Sequence, residues 1–279
     1  MRKLLFLGIL CMCALCACNN SDKFRVEIAF DQLPQDGQDD LASLNGKKIY
    51  LGTFGGVNKE DITIIDSSLI ENNRLLMTGN VPQEVVDVYW LFVENKSASA
   101  RKHTPLMYFV PEKGTIRFEK LSDAKGFGFM GTPANEHMAK QVVSFLGVSN
   151  LDEFQQEMHD ISIRKMMIAD SLKKIQSVKG GDIEEYNKML EELCAPYEKQ
   201  EEAIRQDVLE RQAIFIEYNI NTPFGRQMFY DLLPQFSSAQ IETILSVADE
   251  KITGQAWIRE HQDRKKAEET LGVGIPPRE

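Results

Sequence analysis

The apolar pattern of this chain changes period once, and that change limits the folds open to it. Up to about residue 118 apolar residues alternate with polar ones in short runs broken by turn formers; beyond Thr132 they recur every three or four residues over long stretches. A period of two buries one face of a strand, and a period near 3.6 buries one stripe of a helix. The first half is therefore expected to be β and the second α.

Phe24, Val26, Ile28 and Phe30 alternate with Arg25, Glu27 and Ala29, as in a strand with one buried face. The acidic segment 32–45, with Pro34 and Gly37, reads as an exposed loop, and Asn45-Gly46 as a turn into a strand over 47–51. Further strands are expected at 61–69 and 74–78 around an Asn72-Asn73 turn, then at 85–93, 106–110 and 115–118. Pro82, Pro105, Pro111 and Gly114 punctuate them. No helix-length segment intervenes, so a doubly wound α/β fold lacks its crossovers and an antiparallel β-sandwich or curled sheet over 24–131 is expected. Gly52, Gly55 and Gly56 do not form a phosphate loop, because no Lys-Ser or Lys-Thr ending follows them.

Thr132-Pro133 reads as a helix start, with the threonine hydroxyl accepting an orphan amide and proline tolerated in the first turn. Met138, Val142, Val143 and Phe145 form its apolar surface. A second helix over 151–176 has the stripe Phe154, Met158, Ile161, Met166 and Ile168, and Gly180-Gly181 interrupts the run. From Asp182 the repeat Ile183, Tyr186, Leu190, Leu193, Tyr197, Ile204 and Val208 predicts an amphipathic helix. Unbroken to Asn219 it would span about 57 Å. Pro196 predicts a kink or two shorter helices. Thr222-Pro223 and a Ser237–Gln240 capping box open two more helices, and Gly254 precedes a last one over 255–269. The expected class is α+β: an amino-terminal antiparallel β-sandwich-like domain, an antiparallel helical region over 132–271, and a tail over 272–279.

The amino terminus bears on location. Arg2 and Lys3 precede the apolar run Leu4 to Leu10, a signal peptide too short to be an ordinary membrane span. Leu15-Cys16-Ala17-Cys18 resembles the bacterial lipobox, and of the four cysteines there only Cys18 has both the leucine three residues before it and the small residue next to it. Cleavage after residue 17 would leave Cys18 as the lipidation site and 18–23 as a tether, with the acyl chains holding the protein to the membrane. Cys194 is then the only remaining thiol and reads as a buried structural residue. Asn19 is not the aspartate associated with inner-membrane retention, so an outer-membrane lipoprotein is expected, facing either the periplasm or the surface. A formal net charge of -10 disfavours a nucleic-acid partner.

Asn45-Gly46-Lys47-Lys48-Ile49-Tyr50-Leu51, Ile64 to Ser68, Met77 to Val81, Met107 to Ile116 and Gly131-Thr132-Pro133-Ala134-Asn135 occur in an order that resembles the DUF4369 family, β domains of Bacteroidetes lipoproteins. The likeness covers roughly 23–137 and implies a β domain without established catalytic residues. Asn219-Ile220-Asn221-Thr222-Pro223-Phe224-Gly225 and the Leu-Pro-Gln-Phe-Ser sequence from Leu233 resemble the helical segment that joins this domain to a thioredoxin-like domain in such lipoproteins. No Cys-x-x-Cys follows the signal region, so redox chemistry does not carry over.

His103, His137, His159 and His261 are dispersed without metal-binding spacing, and no cofactor is expected. The pairs Glu184-Glu185, Glu191-Glu192 and Glu201-Glu202, with Lys188, Lys199 and Arg205, read as solvated helix faces rather than acid–base pairs. Arg164, Lys165, Lys173 and Lys174 read as a local basic surface. Tyr89, Trp90 and Phe92 read as sheet packing ahead of a sugar or peptide site. With no catalytic or metal constellation, the sequence favours a non-enzymatic, lipid-anchored envelope protein whose helices bind an envelope protein partner. The alternative is a small-ligand sensor or hydrolytic enzyme with an interdomain pocket.

Overall fold

The computed structural model describes residues 22–32, 44–55, 61–83, 88–94, 102–121, 126–179 and 183–271. The signal peptide, Cys18, most of the tether, most of the acidic loop and the tail lie outside them. The chain divides into two compact units, Met1–Gln141 and Val142–Glu279, so the first residues of the first helix belong with the β unit.

The β unit contains β1 (Lys23–Ala29), a 3-10 turn (Phe30–Gln32), β2 (Lys48–Gly55), β3 (Asp61–Leu69), β4 (Arg74–Asn80), β5 (Tyr89–Glu94), β6 (His103–Phe109), β7 (Gly114–Lys120) and β8 (Phe127–Met130). They form two four-stranded sheets, β4-β1-β7-β8 and β3-β2-β5-β6. The alternation in β1 does what its period requires: Phe24, Val26 and Ile28 are buried, joined in one core by Ile49 and Leu51 of β2, Leu91 of β5 and Phe109 of β6. Burying each such side chain contributes about 1.5–3 kcal/mol. Asn72 and Asn73 both take the left-handed conformation, φ 51° and 57°, as a two-residue hairpin turn of type I′ demands.

Three features depart from the sequence expectation. β1 and β7 pair in parallel, Phe24 opposite Gly114 and Ile28 opposite Phe118, inside an otherwise antiparallel arrangement. β8 was not expected; it adds Phe129 to the core beside Phe109 and Phe118. Pro105 does not end a strand but lies within β6, opposite Phe92 where the register shifts. β6 is a sheet edge, and at an edge bulge a missing N–H leaves no ladder bond unmade.

The helices are α1 (Pro133–Ser149), α2 (Leu151–Lys179), α3 (Ile183–Asn219), α4 (Pro223–Leu232), α5 (Ser238–Ser246), α6 (Glu250–Thr253) and α7 (Ala256–Leu271). A 3-10 turn, Leu233–Gln235, follows α4. The start of α1 differs from expectation, since Thr132 Oγ1 accepts from the Asn135 side-chain amide while Glu112 accepts the Ala134 N–H at 2.8 Å. The Ser237–Gln240 capping box forms as read, and Glu269 of α7 accepts from Ser238 at the same helix start. Phe145, Phe215 and Phe224 meet edge to face in the helical core with centroids 5.2–6.1 Å apart.

α3 is one helix with Pro196 inside it, not two. Pro196 and Glu192 are both exposed, so water can satisfy the Glu192 carbonyl that loses its partner. The buried stripe is also phased differently from the expectation. Cys194 is buried while Leu193 and Ile183 are exposed, and in α2 Leu172 is buried while Met166 is exposed.

Candidate functional site

Two places in the described residues could carry a function: a groove in the β unit and the pair of long helices. The groove has a volume of about 900 Å³ and lies over outward-facing residues of β1, β4 and β7, with Ser67, Ser68 and Leu69 of β3 along one side. Outward-facing positions of neighbouring strands are solvated, so they carry charge. Glu27 accepts from Arg25 at 2.6 Å and lies 3.7 Å from Arg117, which in turn lies 3.7 Å from Glu119. Each of these carboxylates faces an arginine, an arrangement of neutralised, partly exposed pairs worth little individually. Among the described residues that line the groove there is no histidine or cysteine. The groove offers polar contacts to a ligand, the hydroxyls of Ser67 and Ser68 among them.

The α2–α3 pair is built by matching stripes. On α2, Phe154, Met158, Ile161, Lys165, Ile168 and Leu172 are at least half-buried; on α3, Leu190, Cys194, Tyr197, Glu201, Ile204 and Val208 are. Both sets recur at three and four residues, as in an antiparallel coiled-coil seam. The polar layer is Lys165, whose Nζ lies 3.4 Å from Glu201 and 3.9 Å from Glu198. A charged layer in an apolar seam fixes register, because slipping either helix would strand a charge against apolar side chains. This corrects two expectations: Lys165 faces the seam rather than a basic surface, and Glu201 pairs across to α2 rather than along its own helix. Glu184, Glu185, Glu191, Glu192 and Glu202 are exposed as read.

The remaining sequence candidates disperse. Among the described residues no three His, Cys, Asp or Glu side chains gather as a metal would require. His137 and His159 are exposed, and His103 packs edge-on against Tyr50 at 4.9 Å. Tyr89 lies in the sandwich core, where burial pushes its hydroxyl pKa up. Trp90 and Phe92 pack with Phe54 and Tyr108 on the other face of their sheet. Gly52 lies opposite Trp90 and Ile64 in this sheet, and a Cβ there would come 2.5 Å from the Thr63 carbonyl oxygen at the β2–β3 bulge. Cys194 is a free, buried thiol in the seam.

His261 was not singled out from its neighbours by sequence, yet it is the buried one, on α7. Its Nδ1 lies 2.8 Å from an Arg264 nitrogen, so the ring accepts there and is neutral. Burial, then the charges of Arg264 and Lys265, hold its pKa below the ordinary 6.5. The unfolded chain therefore binds this proton more tightly, and stability from the neutral ring is lost as the pH falls through 6.5 toward the folded value. Thermal melts of the full chain should show a melting temperature that declines over this range, and His261→Gln should flatten the decline. An unchanged slope in the variant would contradict this assignment.

No protein-family model, curated protein or solved structure matches the chain. Fold and geometry together define an α+β protein with a β-sandwich unit and a helical unit. Among the described residues no helix is long and apolar enough to cross a membrane.

Proposed function

We propose that this chain is a lipid-anchored cell-envelope protein of DUF4369-like lipoprotein type, held in the outer membrane through Cys18, and that its helical region binds a protein partner without catalysis. The observation that carries the reading is the α2–α3 pair. It is two long helices with Lys165 of α2 set between Glu198 and Glu201 of α3, and with Ile163, Met166, Met167, Ile175, Met189 and Leu193 left 37–62% exposed. Scattered surface hydrophobics are ordinary, but this many on two neighbouring helices are what a partner surface offers.

Anchoring is tested at one atom. Cys18→Ala is expected to move the protein from the membrane fraction to the soluble fraction, and mass analysis of the unaltered protein should place the acyl groups on Cys18. A mature terminus elsewhere without acylation would overturn the anchor.

A further inference from the structure

We propose that the β unit carries a binding site of its own, a slot beside β4 that takes an extended, uncharged peptide segment as an added strand of its sheet. The inference is independent of the helical surface and uses none of its residues.

The pairing of β1 with β4 fixes which backbone groups the slot offers. Phe30 N–H donates to the Asn73 carbonyl and Val81 N–H to the Asp22 carbonyl, both at 2.8 Å. Between them the register is unbroken, from Lys23 opposite Asn80 to Ala29 opposite Arg74. Hydrogen-bonded pairs alternate along an antiparallel ladder, so Leu75, Met77 and Gly79 bond to β1 while Arg74, Leu76, Thr78 and Asn80 turn N–H and C=O the other way. Arg74 exchanges both backbone bonds with Glu71 at 3.0 Å, and the Ser68 hydroxyl donates to the Leu76 carbonyl at 3.1 Å. No described residue bonds to the Leu76 N–H or to either backbone group of Thr78.

The other three sheet edges, β3, β6 and β8, are blunted. In β3 a bulge leaves Ile65 without an opposite residue, and Asp66 takes the Ser67 N–H at 2.7 Å. β6 has Pro105 at a register shift, and β8 has only four residues. Interruptions of these kinds keep a sheet from pairing with a further strand. β4 has none over its seven residues, and the groove of about 900 Å³ lies against its first half.

The lining selects the occupant. Arg25, Arg74 and Arg117 are balanced by Glu27, Glu71 and Glu119, so the groove has no net charge with which to hold a polyanion. Among the described lining residues the one aromatic is Phe118, which packs against Phe127 and Phe129 rather than standing open for a sugar ring. Leu69 and Leu76 are 51% and 50% exposed at the margin. An added strand meets both needs at once: its main chain bonds at Leu76 and Thr78, and an apolar side chain covers Leu76. In strand addition the main chain supplies affinity and alternate side chains supply specificity. A segment of about five residues, at about 3.3 Å each, runs from Leu76 to Asn80.

Selection of a displayed library of random decapeptides on the full chain in detergent, followed by hydrogen exchange read by mass spectrometry, tests this. Enriched sequences should alternate apolar and polar residues and carry little net charge, and the most enriched decapeptide should slow exchange over 74–80. Methylating its alternate amide nitrogens should weaken binding at least about tenfold in one phase and leave the other phase bound, because only one edge of the peptide meets β4. Thr78→Pro removes an N–H that β1 does not use, so it should weaken binding to the same extent while circular dichroism stays unchanged. No enrichment, enriched peptides that leave 74–80 unprotected, equal effects of methylation in both phases, or a folded Thr78→Pro chain that binds undiminished would overturn the slot. Protection of 74–80 in the chain alone, lost on dilution, would assign the edge to a second copy and overturn the peptide.

Discussion

Gly225→Ala is expected to destabilise the helical unit by about 3 kcal/mol or more, the range of a buried overpacking clash that cannot relax. Gly225 is buried in the first turn of α4. A Cβ at this position would fall on the carbonyl oxygen and carbon of Asn219, which are backbone and cannot rotate away. The same oxygen is fixed by Thr222, whose N–H and Oγ1 both donate to it at 2.8 Å, while Thr222 Oγ1 accepts from the Gly225 N–H at 3.1 Å. The Asn-Ile-Asn-Thr-Pro-Phe-Gly sequence thus has a mechanical reading. The carbonyl that ends α3 is folded back onto the hydroxyl that caps α4, and only glycine lets the two come that close. Chemical denaturation followed by circular dichroism gives the difference directly, and a loss under about 1 kcal/mol would show that the junction is looser than described.

Asn135→Ala is expected to cost the β unit about 1–3 kcal/mol. Asn135 is fully buried. Its Oδ1 accepts from the Val110 N–H at 2.9 Å and its Nδ2 donates to the Val110 carbonyl at 2.8 Å, so one side chain satisfies a residue just past β6 as a neighbouring strand would. Nδ2 also donates to Thr132 Oγ1 at 2.8 Å. Truncation leaves the half-buried Val110 N–H without this partner, while the Val110 carbonyl keeps the Glu112 N–H at 2.9 Å, and a donor left unsatisfied costs more than its bond contributes. Asn135→Asp retains the acceptor and loses the two donors, so it should also destabilise. The same denaturation experiment checks both variants, and stability equal to the unaltered chain in Asn135→Ala would contradict the pairing.

The features legible in the sequence were those decided locally. The alternation of β1, the paired left-handed asparagines at 72 and 73, the Thr222 start and the Ser237–Gln240 box each rest on residues a few positions apart, and each formed where read. What escaped was decided at a distance or by phase. β8 has four residues, three of them in the Phe-Gly-Phe stretch 127–129, too short for a period to register, and its partner β7 supplies the reason it is a strand. The parallel β1–β7 pairing joins residues far apart in the chain. Leu193 and Cys194 are adjacent, and which of them enters the seam depends on α2, where Lys165 fixes the register. The candidate interaction face was half legible: its periodicity showed in Tyr186 and Tyr197, but the exposure of Met189 and Leu193 follows only from how narrow the contact with α2 is. Asn135 and His261 carried no local signal, because burial of a polar side chain is a tertiary fact.

We propose the helical hairpin as the working surface of a membrane-anchored protein. Chemical cross-linking of intact envelopes, followed by affinity capture of the full chain and identification of the linked residues, tests that claim most directly. Cross-links from Lys173, Lys174 and Lys188 to a protein partner, lost when Ile175 and Leu193 are both replaced by glutamate, are the predicted result. Capture that leaves the hairpin unlinked, or that persists undiminished in the double variant, would contradict it.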